Sequence, residues 1–131
     1  MERQKSLQFK ALAENIQNEF FEKIAVPSGN TLILIKISDI VYIKGEGSYS
    51  EIYMQDKSKH MVSRNLKNFE EILLKDKRFL RTHKSYIVNF DEVVSFNKSD
   101  GGWLDMKNGN SIPISSEKSS LIMERIQIVN R

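Results

Sequence analysis

The sequence predicts a mostly β fold of two or more small packed sheets, with one helix in mid-chain, one at the C-terminus and a linker helix at the N-terminus. Three observations carry this. From Ile24 onward, short runs of β-branched and aromatic residues recur, each closed by a cluster of Gly, Pro, Asn, Asp or Ser. One internal stretch, residues 63–74, spaces its apolar residues for a helix. No apolar run approaches the roughly 18 residues of a membrane span.

Residues 2–24 read as a helix. Phe9, Leu12, Ala13, Ile16, Phe20 and Ile24 fall three or four apart, and neither Gly nor Pro interrupts before Pro27. One apolar stripe does not stabilise such a helix alone. It must dock on its own domain, on a second copy or on something outside the chain. The expected division is therefore 1–23 as a helix or linker and 24–131 as the domain.

Strands follow at 24–26 and, after the turn Pro27-Ser28-Gly29-Asn30, at 31–37. The second is apolar on both faces and reads as buried on both sides. Further strands fall at 40–44, 49–55 and 59–62. Ser63 is the expected N-cap of the mid-chain helix, whose inner face is Leu66, Phe69, Ile72 and Leu73. Residues 79–81 are extended, a polar loop follows, and strands fall at 86–88, 91–96 and 103–106. Asn108-Gly109 is a hairpin signal leading into a strand at 111–114. Ser115 or Ser116 should cap a last helix with Leu121, Ile122, Arg125 and Ile126 inward. About nine strands result.

The chemistry of the side chains argues against several functions. There is no cysteine, and His60 and His83 are the only histidines, a poor metal inventory, so no cofactor is expected. Met1 to Ser6 lacks the apolar region of a signal peptide, which fits a cytoplasmic protein. Gly45-Glu46-Gly47 and Gly101-Gly102 have no phosphate-loop spacing and read as turns. His83 and Ser85 alone do not make a catalytic pair, and no enzymatic activity is expected.

The charge distribution says more than the net charge of +3. Between residues 61 and 90, seven basic residues (Arg64, Lys67, Lys75, Lys77, Arg78, Arg81, Lys84) face three acidic ones (Glu70, Glu71, Asp76). That asymmetry is the footprint of a nucleic-acid surface, although a solvated face also produces it. Inside it lies Arg81-Thr82-His83-Lys84-Ser85, polar and rich in donors, followed by the strand-forming Tyr86-Ile87-Val88-Asn89. This is the grammar of a recognition loop anchored by a buried strand. Most aromatics sit within apolar patterns as core, which favours duplex DNA over single strands.

From Ile24 to about Ile126 the chain resembles the LytTR DNA-binding domain, the output module of many bacterial response regulators. The resemblance rests on Asp39-Ile40-Val41-Tyr42-Ile43, Gly47-Ser48-Tyr49, residues 63–73, Asn108-Gly109, Ile112-Pro113-Ile114-Ser115 and, most specifically, the run Phe79-Leu80-Arg81-Thr82-His83-Lys84-Ser85-Tyr86-Ile87-Val88-Asn89. It implies an elongated sandwich of small packed β-sheets and sequence-specific binding of double-stranded DNA by loops that enter successive major grooves and bend the duplex. Three loops are implied. On residues 47–51 Ser50 is the first candidate, with Tyr49 beside it. On the second, Lys84 is the base reader. His83 either touches DNA or ties the loop, and Arg81 reaches a phosphate. On residues 115–118, Ser116 stands where family members often carry an Arg that can read guanine in bidentate fashion, and Lys118 keeps a cation nearby. Arg64 and Lys67 would meet phosphates, and Asn89 holds the loop.

The resemblance also implies a two-component transcription regulator acting at promoter sites, as direct repeats, by a homodimer formed on DNA or through the N-terminal helix. An upstream receiver domain is expected in a longer protein, of which this chain would be the C-terminal part. The competing expectation is a β-sandwich module that docks on protein and not on DNA.

Overall fold

The computed structural model describes residues 22–129. The N-terminal helix expected over residues 2–24 lies outside them up to residue 21, and its expected end is corrected, because Lys23 and Ile24 already belong to a strand.

The first strands form a hairpin of their own: β1 (Lys23–Ser28) pairs antiparallel with β2 (Thr31–Lys36). A five-stranded sheet is built from β3 (Ile40–Glu46), β4 (Tyr49–Met54), β5 (Lys59–Val62), β6 (Phe79–His83) and β7 (Tyr86–Asn89), in the order β5-β4-β3-β7-β6. A three-stranded sheet holds β8 (Val93–Asn97), β9 (Trp103–Met106) and β10 (Ser111–Pro113), with β9 central. Helix α1 (Leu66–Leu73) links β5 to β6, and a short α2 (Ser119–Glu124) follows β10. The mostly β expectation holds, with ten strands among the described residues in place of about nine.

The five-stranded sheet is the middle layer, and each of its faces has its own core. One face meets the hairpin and α1 through Ile24, Val26, Ile35, Ile43, Ile52, Leu66, Phe69, Leu73, Phe79 and Ile87. The other meets the three-stranded sheet and α2 through Val41, Tyr42, Leu80, Val88, Leu104, Met106, Ile112, Ile114 and Ile122. Alternation along β6 and β7 explains the division: Phe79 and Ile87 go one way, Leu80 and Val88 the other. In β3 a register shift between Ile40 and Tyr42 breaks strict alternation, so the neighbours Val41 and Tyr42 both serve the second core. Each fully buried Ile or Leu contributes roughly 1.5–3 kcal/mol.

Four local expectations are corrected. The N-cap of α1 is Asn65, whose side chain accepts from the Asn68 amide, and not Ser63. Leu66, Phe69 and Leu73 set the inner face, and the capping position immediately precedes Leu66. Neither Ser115 nor Ser116 caps α2 with its side chain; a single 3-10 turn, Ser116–Lys118, leads into it. Ile122 alone of the expected inner face is fully buried, and Arg125 reaches out to the Lys77 carbonyl. Residues 90–92 form a 3-10 turn, and β8 begins only at Val93. Finally, β2 is not buried on both sides: Leu32 and Leu34 are 63% and 61% exposed, because the hairpin has a sheet on one face only.

Candidate nucleic-acid interface

Strand register brings the three expected loops together. β3 and β7 are antiparallel with Lys44 opposite Tyr86, so the end of β3 meets the start of β7. The β3–β4 turn (Gly47, Ser48) and the β6–β7 turn (Lys84, Ser85) therefore sit at one end of the five-stranded sheet, and the Gly45 amide donates to the Ser85 carbonyl at 2.8 Å. The third segment joins them where the Ser115 amide donates to the Thr82 carbonyl at 2.9 Å. Val62, at the end of β5, pairs with Ser50, which places Arg64 and the start of α1 at the same end. Leu66 seats against Gly45 so closely that a Cβ there would lie 2.8 Å from the Leu66 Cβ.

The polar stretch of residues 81–85 is mostly strand, not loop. β6 runs through His83 with a register shift between Arg81 and His83, and only Lys84 and Ser85 turn. Thr82 is buried. Arg81 does not point into solvent as a phosphate contact. Its Nε donates to the His83 carbonyl at 3.0 Å, one terminal nitrogen donates to the Lys84 carbonyl, and the other pairs with Glu70 of α1. The planar fork thus fastens both sides of the turn to the helix. His83 adds to this: its Nδ1 accepts from the Ser85 amide at 3.0 Å, which leaves Nε2 to carry the proton. Its ring stands edge-on to Tyr86, the last member of a row from Tyr53 through Tyr42, whose rings stack at 4.4 Å. Lys84 is left exposed at the tip, with no side-chain partner among the described residues.

Ser50 is also placed differently from expectation. It lies on β4, fully buried, and donates to the Arg64 carbonyl at 2.9 Å. It holds the β5–α1 connection. Tyr49 beside it is exposed and available. Ser116 is exposed and Lys118 half-buried in the third segment. Arg64 and Lys67 are exposed at the head of α1, where the helix dipole adds positive potential. Asn89 holds backbone, but not the loop: at the end of β7 away from the β6–β7 turn it donates to the Ile40 carbonyl at 3.0 Å and accepts from the Asp91 amide.

The basic stretch divides in space. Arg64, Lys67, Arg81 and Lys84 lie at the loop end, whereas Lys75, Lys77 and Arg78 lie between α1 and the far end of β6. Arg78 is bound there to the buried Asp76 at 2.8 Å. Two participants escaped the sequence reading. Glu70, on α1, is the counter-charge that orients Arg81, a long-range pairing that local pattern does not reveal. Lys44 sits opposite Glu51 across β3 and β4 and is half-buried at the same end. The Glu51 carboxyl is held below its usual range, chiefly by the Tyr53 hydroxyl and then by Lys59 at 3.2 Å. Burial pushes the Tyr42 phenol up to about 12.

Comparison with known proteins gives the family and the fold. The LytTr DNA-binding domain family model matches residues 30–127. The chain is 28% identical over 110 residues to the heme-containing CO-sensing transcriptional regulator RcoM 1 of Paraburkholderia xenovorans, covering 82% of this chain and 40% of that protein. It is 31% identical over 97 residues to the sensory transduction protein LytT of Bacillus subtilis, covering 71% of this chain and 39% of that protein. The chain thus spans about 40% of the length of these relatives. A solved LytTr DNA-binding domain from Bacillus cereus shares the fold with a TM-score of 0.66 at 20% identity, over 80% of this chain and 96% of that one. With three-quarters of its length matched, the chain belongs to the LytTR family of DNA-binding domains.

Proposed function

We propose that this domain reads specific sequences in double-stranded DNA through the β3–β4 turn, the β6–β7 turn and residues 115–118, as the output domain of a bacterial two-component transcription regulator. The observation that carries the reading is the convergence of all three segments on one end of the sheet, with Lys84 free at the tip of a turn whose backbone Arg81 and His83 hold. Lys84 reads a base edge in the major groove, and Tyr49 and Ser116 make the neighbouring contacts. Arg64, Lys67 and Lys118 meet phosphates. The converging segments enter neighbouring grooves on one face of the duplex, which bends to meet them. Copies of the domain occupy direct repeats at promoter sites.

Selection from a randomised duplex pool tests this directly. The reading expects a defined motif, binding that weakens steeply with salt, and end-to-end shortening of the selected duplex by energy transfer. Failure to enrich any sequence, with no shift of any duplex, would instead favour the protein-docking module.

A further inference from the structure

The β3–β4 turn carries a group that a phosphate backbone repels. Glu46, the last residue of β3, is exposed, and its carboxylate has no hydrogen-bond or ion-pair partner among the described residues. Strand pairing on both sides of β3 fixes its neighbours. Glu46 is opposite Tyr49 of β4, so these two side chains share a face of the sheet. On the other side, Tyr42, Ile43 and Lys44 pair with Val88, Ile87 and Tyr86, and the Gly45 amide carries that register on to the Ser85 carbonyl at 2.8 Å. One residue further out, the same register sets Glu46 beside Lys84. Gly45 faces Leu66 of α1, so by alternation Glu46 faces the other side of the sheet, the side that packs on Ile114 and Ile122 and so flanks residues 115–118. A lone acid thus stands between Tyr49 and Lys84, at the centre of the converging segments.

We propose that Glu46 and Lys84 read two adjacent base pairs in the major groove, Glu46 accepting from the amino group of a cytosine and Lys84 donating to the neighbouring guanine. The inference rests on the DNA reading above and adds a second base to it. The base edges select this assignment. A carboxylate offers acceptors only. Guanine shows two acceptors in the major groove, thymine shows one beside its methyl group, and adenine sets an acceptor next to its amino group. Cytosine alone shows a donor with no acceptor beside it. An ammonium offers donors only, and the two acceptors of guanine are its match. The spacing agrees: neighbouring strands lie about 4.8 Å apart, and successive base pairs are about 3.4 Å apart along the duplex. Glu46 therefore acts mainly by rejection. Where cytosine is absent, its charge meets acceptors or phosphates and weakens binding.

The test runs selection from a randomised duplex pool in parallel on the whole chain, on Glu46→Gln and on Glu124→Gln. Glu124 is an exposed acid at the end of α2, next to Arg125, which reaches the Lys77 carbonyl away from the turns. The parent motif should hold a cytosine on the base pair next to the guanine read by Lys84. In Glu46→Gln the preference at the cytosine position should move to adenine, whose edge an amide matches, with about a tenfold swing in the ratio of the two bases. Duplexes without the motif should be bound a few fold more tightly by Glu46→Gln than by the parent, and Glu124→Gln should select the parent motif. An unchanged motif in Glu46→Gln, beside a well-defined motif in the parent, would overturn the proposal and leave the DNA reading standing. Tighter binding by one common factor on every duplex would also overturn it, because the carboxylate would then only repel phosphate. A change confined to the guanine position would overturn it as well, since Glu46 would then only orient Lys84. A parent that enriches no motif would overturn both readings together.

Discussion

The β3–β4 and β6–β7 turns occupy the same end of one sheet, yet they are held by different means. The β6–β7 turn is fixed by side chains: Arg81 takes the His83 and Lys84 carbonyls, Glu70 fixes Arg81, and His83 takes the Ser85 amide. The β3–β4 turn has no side-chain hydrogen bond to Gly47 or Ser48 among the described residues. Its shape comes from strand pairing, Glu46 opposite Tyr49, and from Gly47 at φ +60°. The first presents Lys84 from a preorganised backbone, where little entropy remains to be lost on binding. The second is adaptable, and its exposed Tyr49 can settle against whatever the groove offers. Polar residues of a turn can therefore build it as well as face outward, and here Arg81 and His83 build it.

The largest effect that could break this comparison comes from Arg81→Ala. It strips two carbonyls and Glu70 of their donor at once and should cost about 2 kcal/mol of stability in urea denaturation. It should also weaken DNA at least as much as loss of Lys84 does. Arg81→Lys should rescue little, because an ammonium lacks the fork. An Arg81→Ala variant as stable as the parent would show that the turn does not depend on this fastening. Gly47→Ala addresses the other turn. A Cβ at positive φ is strained by about 1 kcal/mol, although nothing crowds it. Denaturation midpoints should fall by less than for Arg81→Ala, and Gly47→Asn should recover part of the loss.

The outline of this division was legible in the sequence, but the roles within it were not. Residues 79–89 identified both the family and the central turn. The periods of β3, β6 and β7 placed the strands that carry them, but not how those strands pair. Ser50 could have been read correctly: Ser50, Ile52 and Met54 share one face of β4 by strict alternation, and two of the three are apolar core residues. Arg81 could not, because its partner Glu70 lies eleven residues away on a helix whose approach is set by tertiary packing. The reading of β2 as buried on both sides failed for a related reason. An apolar strand asks for cover on two faces, but sequence does not say what supplies it.

Two smaller effects sharpen the comparison. On the proposed reading Lys67→Ala, at the head of α1, removes a phosphate contact and no base contact. It should weaken all duplexes alike and reduce the slope of log affinity against log salt by about 1. A change in sequence preference would instead make Lys67 a reader. Smallest of all is Glu51→Gln. The folded-state pKa of Glu51 is depressed, so its ionised form stabilises the fold at neutral pH, and that contribution is lost as pH falls through the folded pKa. Denaturation at neutral and acid pH should show a slightly smaller acid sensitivity in Glu51→Gln than in the parent. Identical pH dependence would mean that the Tyr53 and Lys59 contacts contribute nothing in solution.

The most direct measurement compares Lys84→Ala with Lys107→Ala on a duplex selected from the random pool. Lys107 is exposed, and its amide bonds the Glu92 carbonyl. Glu92 in turn meets Gln55, just beyond the end of β4 farthest from the turns. Both variants lose one positive charge, but only Lys84 lies among the three converging segments. Lys84→Ala should lose roughly 1–3 kcal/mol of affinity for the selected site and relax its preference at one or two positions. Lys107→Ala should bind like the parent. Equal binding by both variants, or an equal loss in both, would contradict the assignment of DNA reading to this end of the sheet.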